Sequence, residues 1–343
     1  VLSPNWLGDA VMALPAIADA RRLWPEATIT VAARGGLSAL FGAVPSVDAV
    51  VALDATPPRL SVSADAARLR EGAHDAALLL PNAFRAALVA WRARIRERWG
   101  YATDRRGWLL TRRVAPPSDA RIHQADYYRH LTGALGIPQG PRHAVLRVPD
   151  QARAAARRLL ERDGWRGEPL VGLAPGAAYG SAKRWPPDRV GALAARLSTS
   201  LGARTVIVGA MADRATANDV IGATAAAGAA PDTVIDLTGR TDLPTLMGVL
   251  ASCAAFVSND SGAMHLAAAL DVPVTAVFGP TREWATSPLP GPAGRDATIV
   301  HADVDCRPCM LRTCPIDHRC MTRISVDDVF ASVTRALDQG GAA

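Results

Sequence analysis

Lysine is nearly missing from this chain: 38 of its 343 residues are lysine or arginine, and Lys183 is the only lysine. Aromatic residues make up only 5% of the chain. No apolar run approaches the roughly 18–20 residues that a membrane-spanning helix needs, so a soluble or peripheral protein is expected. The five cysteines are an odd number without the spacing of a secreted scaffold, which argues for a reducing cytoplasm. "VLSP" at the start reads as the end of a strand that begins before Val1, so a targeting segment ahead of it stays open.

About half of the residues are apolar (49%), enough for two sizeable cores at this length. Alanine, glycine, proline and arginine are abundant, a bias that high-GC coding produces by itself. The formal charge of +6 points to anionic partners without choosing among nucleotides, phospholipid surfaces and nucleic acid.

Short apolar runs alternate with helical periodicity along almost the whole chain. Strands are expected at 27–33, 48–53, 75–81, 169–175, 204–210, 232–238, 254–260 and 272–280. Helices are expected at 8–23, 63–72, 84–99, 187–199 and 242–253. Unbroken Val/Ile/Leu-rich strands between helices indicate buried parallel sheets. A polar, helix-forming stretch at 147–169 marks a boundary. The expected fold is α/β, with two Rossmann-like, doubly wound domains at about 1–150 and 151–343, facing each other across a cleft. Open parallel sheets bind ligands at the carboxyl ends of their strands, so the residues just beyond each strand are the candidates for chemistry.

Three strand ends carry such residues. In "SPNWLGDAVMALPA" (3–16), Asp9 falls at or just inside a helix start, where the helix dipole stabilises a carboxylate; a plain N-cap is the structural alternative. In "VSNDSGAMHLAAAL" (257–270) a strand runs into Asp260 and then a helix. Backbone amides of Ser261, Gly262, Ala263 and Met264 would form a diphosphate site there, with His265 on the same helical face as Ser261. In "PGAAYGSAKRWP" (175–186) a glycine-containing loop leads to Lys183. Its compact ammonium can turn among phosphate or sugar oxygens as arginine's planar fork cannot. A solvated surface lysine is the alternative.

Taken together, "NWLGDAVMALPAI", "PGAAYGSAKRWP", "VSNDSGAMHLAAALDVPVTAVFGPT" and "CRPCMLRTCPIDHRCM" resemble glycosyltransferase family 9, the lipopolysaccharide heptosyltransferases, most closely its type II members. The resemblance covers nearly the whole chain and implies a GT-B fold. It implies an inverting transfer of L-glycero-D-manno-heptose from ADP-heptose to heptosyl-Kdo2-lipid A, by a cytoplasmic enzyme peripheral to the inner membrane. By that resemblance Asp9 matches the general base, and Lys183 with the helix start at Ser261 would stabilise the departing ADP. Asp260 would hold heptose hydroxyls. Asp213 is placed for the ribose, Thr241 in "TGRT" for the adenine, and Gly176 for close approach to phosphate. No cofactor and no metal are implied.

For the acceptor side the candidates are Asn5, Trp6, Arg85 and His123. Nine arginines lie between Arg85 and Arg113, interleaved with Trp91, Trp99, Tyr101 and Trp108. They read either as an acceptor- and membrane-facing surface or as a solvated helix face. Cys306, Cys309, Cys314 and Cys320 open with a CxxC that suits zinc, but no second CxxC or Cys/His pair follows at finger spacing. Reduced thiols in an ordered loop are the expectation, and Cys253 reads as core. Two other readings stand beside the first. One is a GT-B enzyme of different specificity, either another heptosyltransferase or a sugar-nucleotide epimerase. The other is a non-catalytic binder of anionic glycolipid; no nucleic-acid partner is expected.

Overall fold

The computed structural model describes residues 1–53 and 61–340. Residues 54–60 and 341–343 fall inside the two expected domains and lie outside the described residues. The chain divides into two compact units, Val1–Arg147 and Val148–Ala343. Both are α/β, and every strand pairing in them is parallel.

In the first unit the elements in chain order are α1 (Leu7–Met12), α2 (Leu14–Leu23), β1 (Thr30–Arg34), α3 (Gly35–Phe41), β2 (Ala49–Leu53) and α4 (Val62–Glu71). They continue with β3 (Ala76–Leu79), α5 (Phe84–Arg92), β4 (Glu97–Tyr101), β5 (Arg112–Val114) and α6 (Gln124–Ala134). β1 pairs with β2, and β3, β4 and β5 form a second ribbon. Leu2 joins the two pieces by bridging to Ala32 on one side and Leu79 on the other. Its N–H donates to Leu78 O at 2.9 Å, and Ser3 N–H donates to Ala32 O at 2.9 Å. Leu2 and Ser3 therefore lie between β1 and β3, with β2 beyond β1 on one side and β4 and β5 beyond β3 on the other. That position places residues 3–9 at the carboxyl edge, where such sheets bind ligands.

Two expected helices are corrected. The stretch 8–23 is not one helix but α1 and α2, broken at Ala13, with Pro15 in the first turn of α2. Proline has no N–H to continue the ladder and its ring crowds the preceding turn, so it can start a helix but not extend one. The stretch 84–99 is α5 followed by β4: Arg94 adopts φ 61°, which ends the helix, and Glu97 N–H then joins Asp75 O at 3.1 Å.

The second unit contains α7 (Asp150–Arg162), β6 (Leu170–Ala174), α8 (Pro187–Leu201), β7 (Arg204–Ile207), α9 (Arg214–Ala226), β8 (Val234–Asp236) and α10 (Leu243–Ala251). Then come β9 (Ala255–Asn259), α11 (Gly262–Ala269), β10 (Val274–Phe278), α12 (Glu283–Thr286), β11 (Thr298–His301), α13 (Arg319–Thr322) and α14 (Val326–Gly340). The sheet order is β11-β10-β9-β6-β7-β8. Every residue of β6, β9 and β10 is buried, which is why these strands read as continuous apolar runs. Trp185, Leu193, Leu197, Val257, Met321 and Val329 pack in one core cluster. Each such side chain contributes about 1.5–3 kcal/mol by leaving water. A Cβ on Gly172 would stand 2.4 Å from the Phe256 ring, so the close approach of β6 and β9 requires glycine there. The strand order reverses between β6 and β9, and the residues after Ala174 and Asn259 emerge side by side.

Candidate active site

Asn259, the last residue of β9, ties the strand ends together. Its Nδ2 donates to Pro175 O at 2.8 Å and Gly176 O at 3.3 Å, and its Oδ1 accepts Trp185 N–H at 3.0 Å. Both ends of the loop carrying Lys183 are thereby fixed to one buried amide. Trp185 is itself core, 1% exposed, with its indole N–H donating to Ile324 O at 3.2 Å. Between these anchors a 3₁₀ turn spans Ser181–Lys183.

Lys183 and Asp260, expected to serve separate donor groups, are bound to each other. Lys183 Nζ lies 2.5 Å from Asp260 Oδ2 and 3.5 Å from its carbonyl oxygen. Thr281 Oγ1 donates to the same carboxylate oxygen at 2.7 Å. The two side chains are 13% and 8% exposed. An ammonium carries three N–H donors, and its remaining side lies 4.8 Å from the centre of the Tyr179 ring, a cation–π contact. Removing one partner of so enclosed a pair strands the other charge, at a cost of about 3–5 kcal/mol.

The cysteine-bearing segment holds this loop from outside. Tyr179 O–H donates to Met310 O at 2.8 Å, Ala182 N–H donates to Arg312 O at 3.0 Å, and His318 Nε2 lies 2.7 Å from Ala182 O. A Cβ on Gly180 would sit 2.2 Å from Arg312 O, so only glycine fits beneath the segment. Cys253 and Cys320 are buried, Cys306 and Cys314 half-buried and Cys309 exposed, all as free thiols. Among the described residues no group of three or more His, Cys, Asp or Glu side chains could hold a metal ion.

The other residues expected to meet the donor follow strands of the same parallel sheet, at its carboxyl edge. Ser261 is the N-cap of α11 without a side-chain cap bond, its Oγ instead 2.9 Å from Ser258 Oγ. Gly262 and Ala263 follow in the first turn, while the side chains of Met264 and His265 turn into the interior, 0% and 3% exposed. Asp213 follows β7, accepts Ala210 N–H at 3.1 Å and packs on Gly176, where a Cβ would come within 2.3 Å of its carboxyl carbon. Thr241 lies half-buried after β8.

In the first unit Asp9 is the third residue of α1, with Trp6 as the N-cap. Burial first, and then the charge of Asp9, push the Tyr128 phenol well above its usual range. Tyr128, on α6, was not foreseen as a neighbour of Asp9. His123 caps α6, with Nδ1 accepting Ala125 N–H at 3.1 Å, so a structural duty occupies that nitrogen. Asn5 and Trp6 are exposed. Arg85 Nη2 meets the fully buried Asp65 Oδ2 at 2.5 Å.

The arginine-rich stretch does not form one face. Arg106 is wholly buried, donating to the carbonyls of Tyr101, Pro81 and Ala83. Arg98 donates to Leu109 O and Ile95 O at 2.6 Å each. Trp91 and Trp108 remain outside, 47% and 64% exposed, with ring centres 6.4 Å apart. No helix among the described residues is long and apolar enough to cross a membrane.

Residues 62–319 match the model of glycosyltransferase family 9 (heptosyltransferase). The lipopolysaccharide heptosyltransferase 2 of Salmonella typhimurium is 31% identical over 304 residues, 84% of each chain. Its Escherichia coli K12 counterpart is 30% identical over 299 residues, again 84% of each. The solved E. coli ADP-heptose LPS heptosyltransferase II superposes with a TM-score of 0.83 at 27% identity, covering 98% of both chains. On the family match and these relatives, the chain belongs to glycosyltransferase family 9, the heptosyltransferases.

Proposed function

We propose that this chain transfers L-glycero-D-manno-heptose from ADP-heptose to heptosyl-Kdo2-lipid A, with inversion at the anomeric carbon. The observation that carries the reading is the Lys183–Asp260 pair at the strand reversal of the second unit. It stands beside the start of α11 in a chain similar throughout to ADP-heptose LPS heptosyltransferase II.

In this reading Asp9 accepts the proton of the acceptor hydroxyl as its oxygen attacks the anomeric carbon. The bond from that carbon to the diphosphate oxygen breaks, and ADP leaves with the bonding pair. Lys183, steered by Asp260 and Thr281, donates to the diphosphate or sugar oxygens on which charge grows. The first amides of α11, from Ser261 to Met264, support the same charge. Asp260 also orients heptose hydroxyls, Asp213 accepts from the ribose, and Thr241 borders the adenine. Gly176 allows backbone to approach the phosphates, and His265 stiffens the helix start from inside.

The first unit receives the acceptor through Asn5, Trp6, Arg85 and His123. The exposed Trp91 and Trp108 suit brief contact with the cytoplasmic face of the inner membrane, since amphipathic rings settle at headgroup level. A coupled ADP-release assay with ADP-heptose and two acceptors, Kdo2-lipid A and its mono-heptosyl form, tests the reading. Release only with the mono-heptosyl form is expected. Activity confined to the unsubstituted acceptor, or consumption of donor with no new glycosidic bond, contradicts it.

A further inference from the structure

The carboxyl edge of the first unit's sheet holds a cavity of about 60 Å³. It opens where Ser3, Arg34, Leu53 and Pro81 end or follow neighbouring strands, and Asn5 and Arg85 complete its polar wall. Among the described residues two guanidinium groups line it, and none of the lining side chains is acidic. The rest of the wall is small and apolar, which weakens screening and strengthens any charge interaction inside.

Both arginines have capacity unspent. Among the described residues the Arg34 side chain has no hydrogen-bond or ion-pair partner, while its backbone closes β1 at the cavity rim by pairing with Leu53. Arg85 is held in place at Nη2 by Asp65, yet its Nε is buried with no hydrogen-bond partner. Asp65 is already shared with Arg68, 3.7 Å away, so its single charge does not neutralise the group. A buried N–H without an acceptor is unfavourable until a ligand oxygen supplies one. Planar guanidinium forks match the paired oxygens of a carboxylate or phosphate.

We infer that this cavity is an anion subsite, in which Arg34 and Arg85 grip one carboxylate or phosphate group of the acceptor saccharide beside the Asn5 amide. The inference rests on the reading that the first unit binds the acceptor. It goes further by adding Arg34 and by fixing the chemistry of the group bound there.

Calorimetric titration of the full chain with deacylated heptosyl-Kdo2-lipid A, without donor, tests it. The same titration is run with the carboxyl-reduced and the phosphate-stripped oligosaccharide, on wild type and Arg34→Gln. Wild type is expected to bind the intact oligosaccharide, and Arg34→Gln to bind it at least ~10-fold more weakly with an unchanged melting temperature. Removing one class of anion should weaken wild-type binding similarly and leave Arg34→Gln unaffected, which identifies the group as carboxylate or phosphate. Equal binding by the two proteins overturns the subsite. So does equal sensitivity of both to each anion removal, or no binding by wild type. ADP release plays no part in the titration, so a failure of the subsite is distinguishable from a failure of the transfer reading.

Discussion

Lys183 and Asp260, 77 residues apart in the chain, meet at 2.5 Å in the second unit, and Thr281 donates to the same carboxylate oxygen. The only lysine of the chain is thus held by a carboxylate within a loop anchored at both ends by Asn259. Its position follows from the sheet order: β6 and β9 are neighbours, so the segments leaving them run side by side. An ammonium in such a frame is pre-oriented for charge appearing on a leaving group, which is where fixed dipoles and cations contribute most to catalysis.

Replacing Asp9 by asparagine removes the proposed proton acceptor and keeps the shape of the first turn of α1. Turnover should fall by at least ~10²-fold, the lower range for general-base loss, while ADP affinity stays within a factor of about two. Steady-state kinetics and ADP titration measure the two effects. Near-normal turnover in Asp9→Asn would take Asp9 out of the base role.

Trp185 lies within the motif that carries Lys183, but its ring is core. Trp185→Ala should lower unfolding free energy by about 3–5 kcal/mol through the lost burial and the cavity left behind. Denaturant titration gives the value. A loss under about 1 kcal/mol would mean that the loop is not fastened to the core by this residue.

The cysteines should separate by environment when alkylated with iodoacetamide in the native state at pH 8. Burial, reinforced by the neighbouring Cys306, Cys309 and Cys314, pushes the Cys320 thiol up to about 11, and burial pushes Cys253 up to about 12. Only the thiolate reacts, so both stay protected until the pH approaches those values or the protein unfolds. Mass spectrometry of peptides should show Cys309 labelled first. Rapid labelling of Cys320 at pH 8 contradicts the packing of the segment that holds the Lys183 loop.

The alternation of apolar runs and helical periodicity made the parallel α/β architecture readable, because strands buried on both faces show no polar interruption. β4 and β5 escaped the reading because "ERWGY" and "RRV" carry charge, and in space Arg98 spends its guanidinium on carbonyls of the same unit. Lys183 and Asp260 could be singled out as strand-end residues, but their contact depends on which strands are neighbours, and no local pattern encodes that. Thr281 follows β10 as Asp260 follows β9, so the same rule extended by one residue past Pro280 would have found it. Tyr179, Met310 and Arg312 had no local signal, since their contacts to one another span up to 131 residues. His123 was expected to meet the acceptor, and its Nδ1 is occupied by a helix cap that the preceding loop residues gave no reason to expect.

The central claim, that Lys183 acts on the donor from its place beside Asp260, is tested most directly by Lys183→Arg. The measurement is kcat/KM for ADP-heptose in the ADP-release assay with a saturating acceptor. The charge is kept, but the planar fork does not fit an enclosure built for a compact ammonium. A loss of at least ~10-fold, or about 1.4 kcal/mol of transition-state stabilisation, is predicted. Unchanged kinetics would contradict the account and leave the single lysine as an accident of composition.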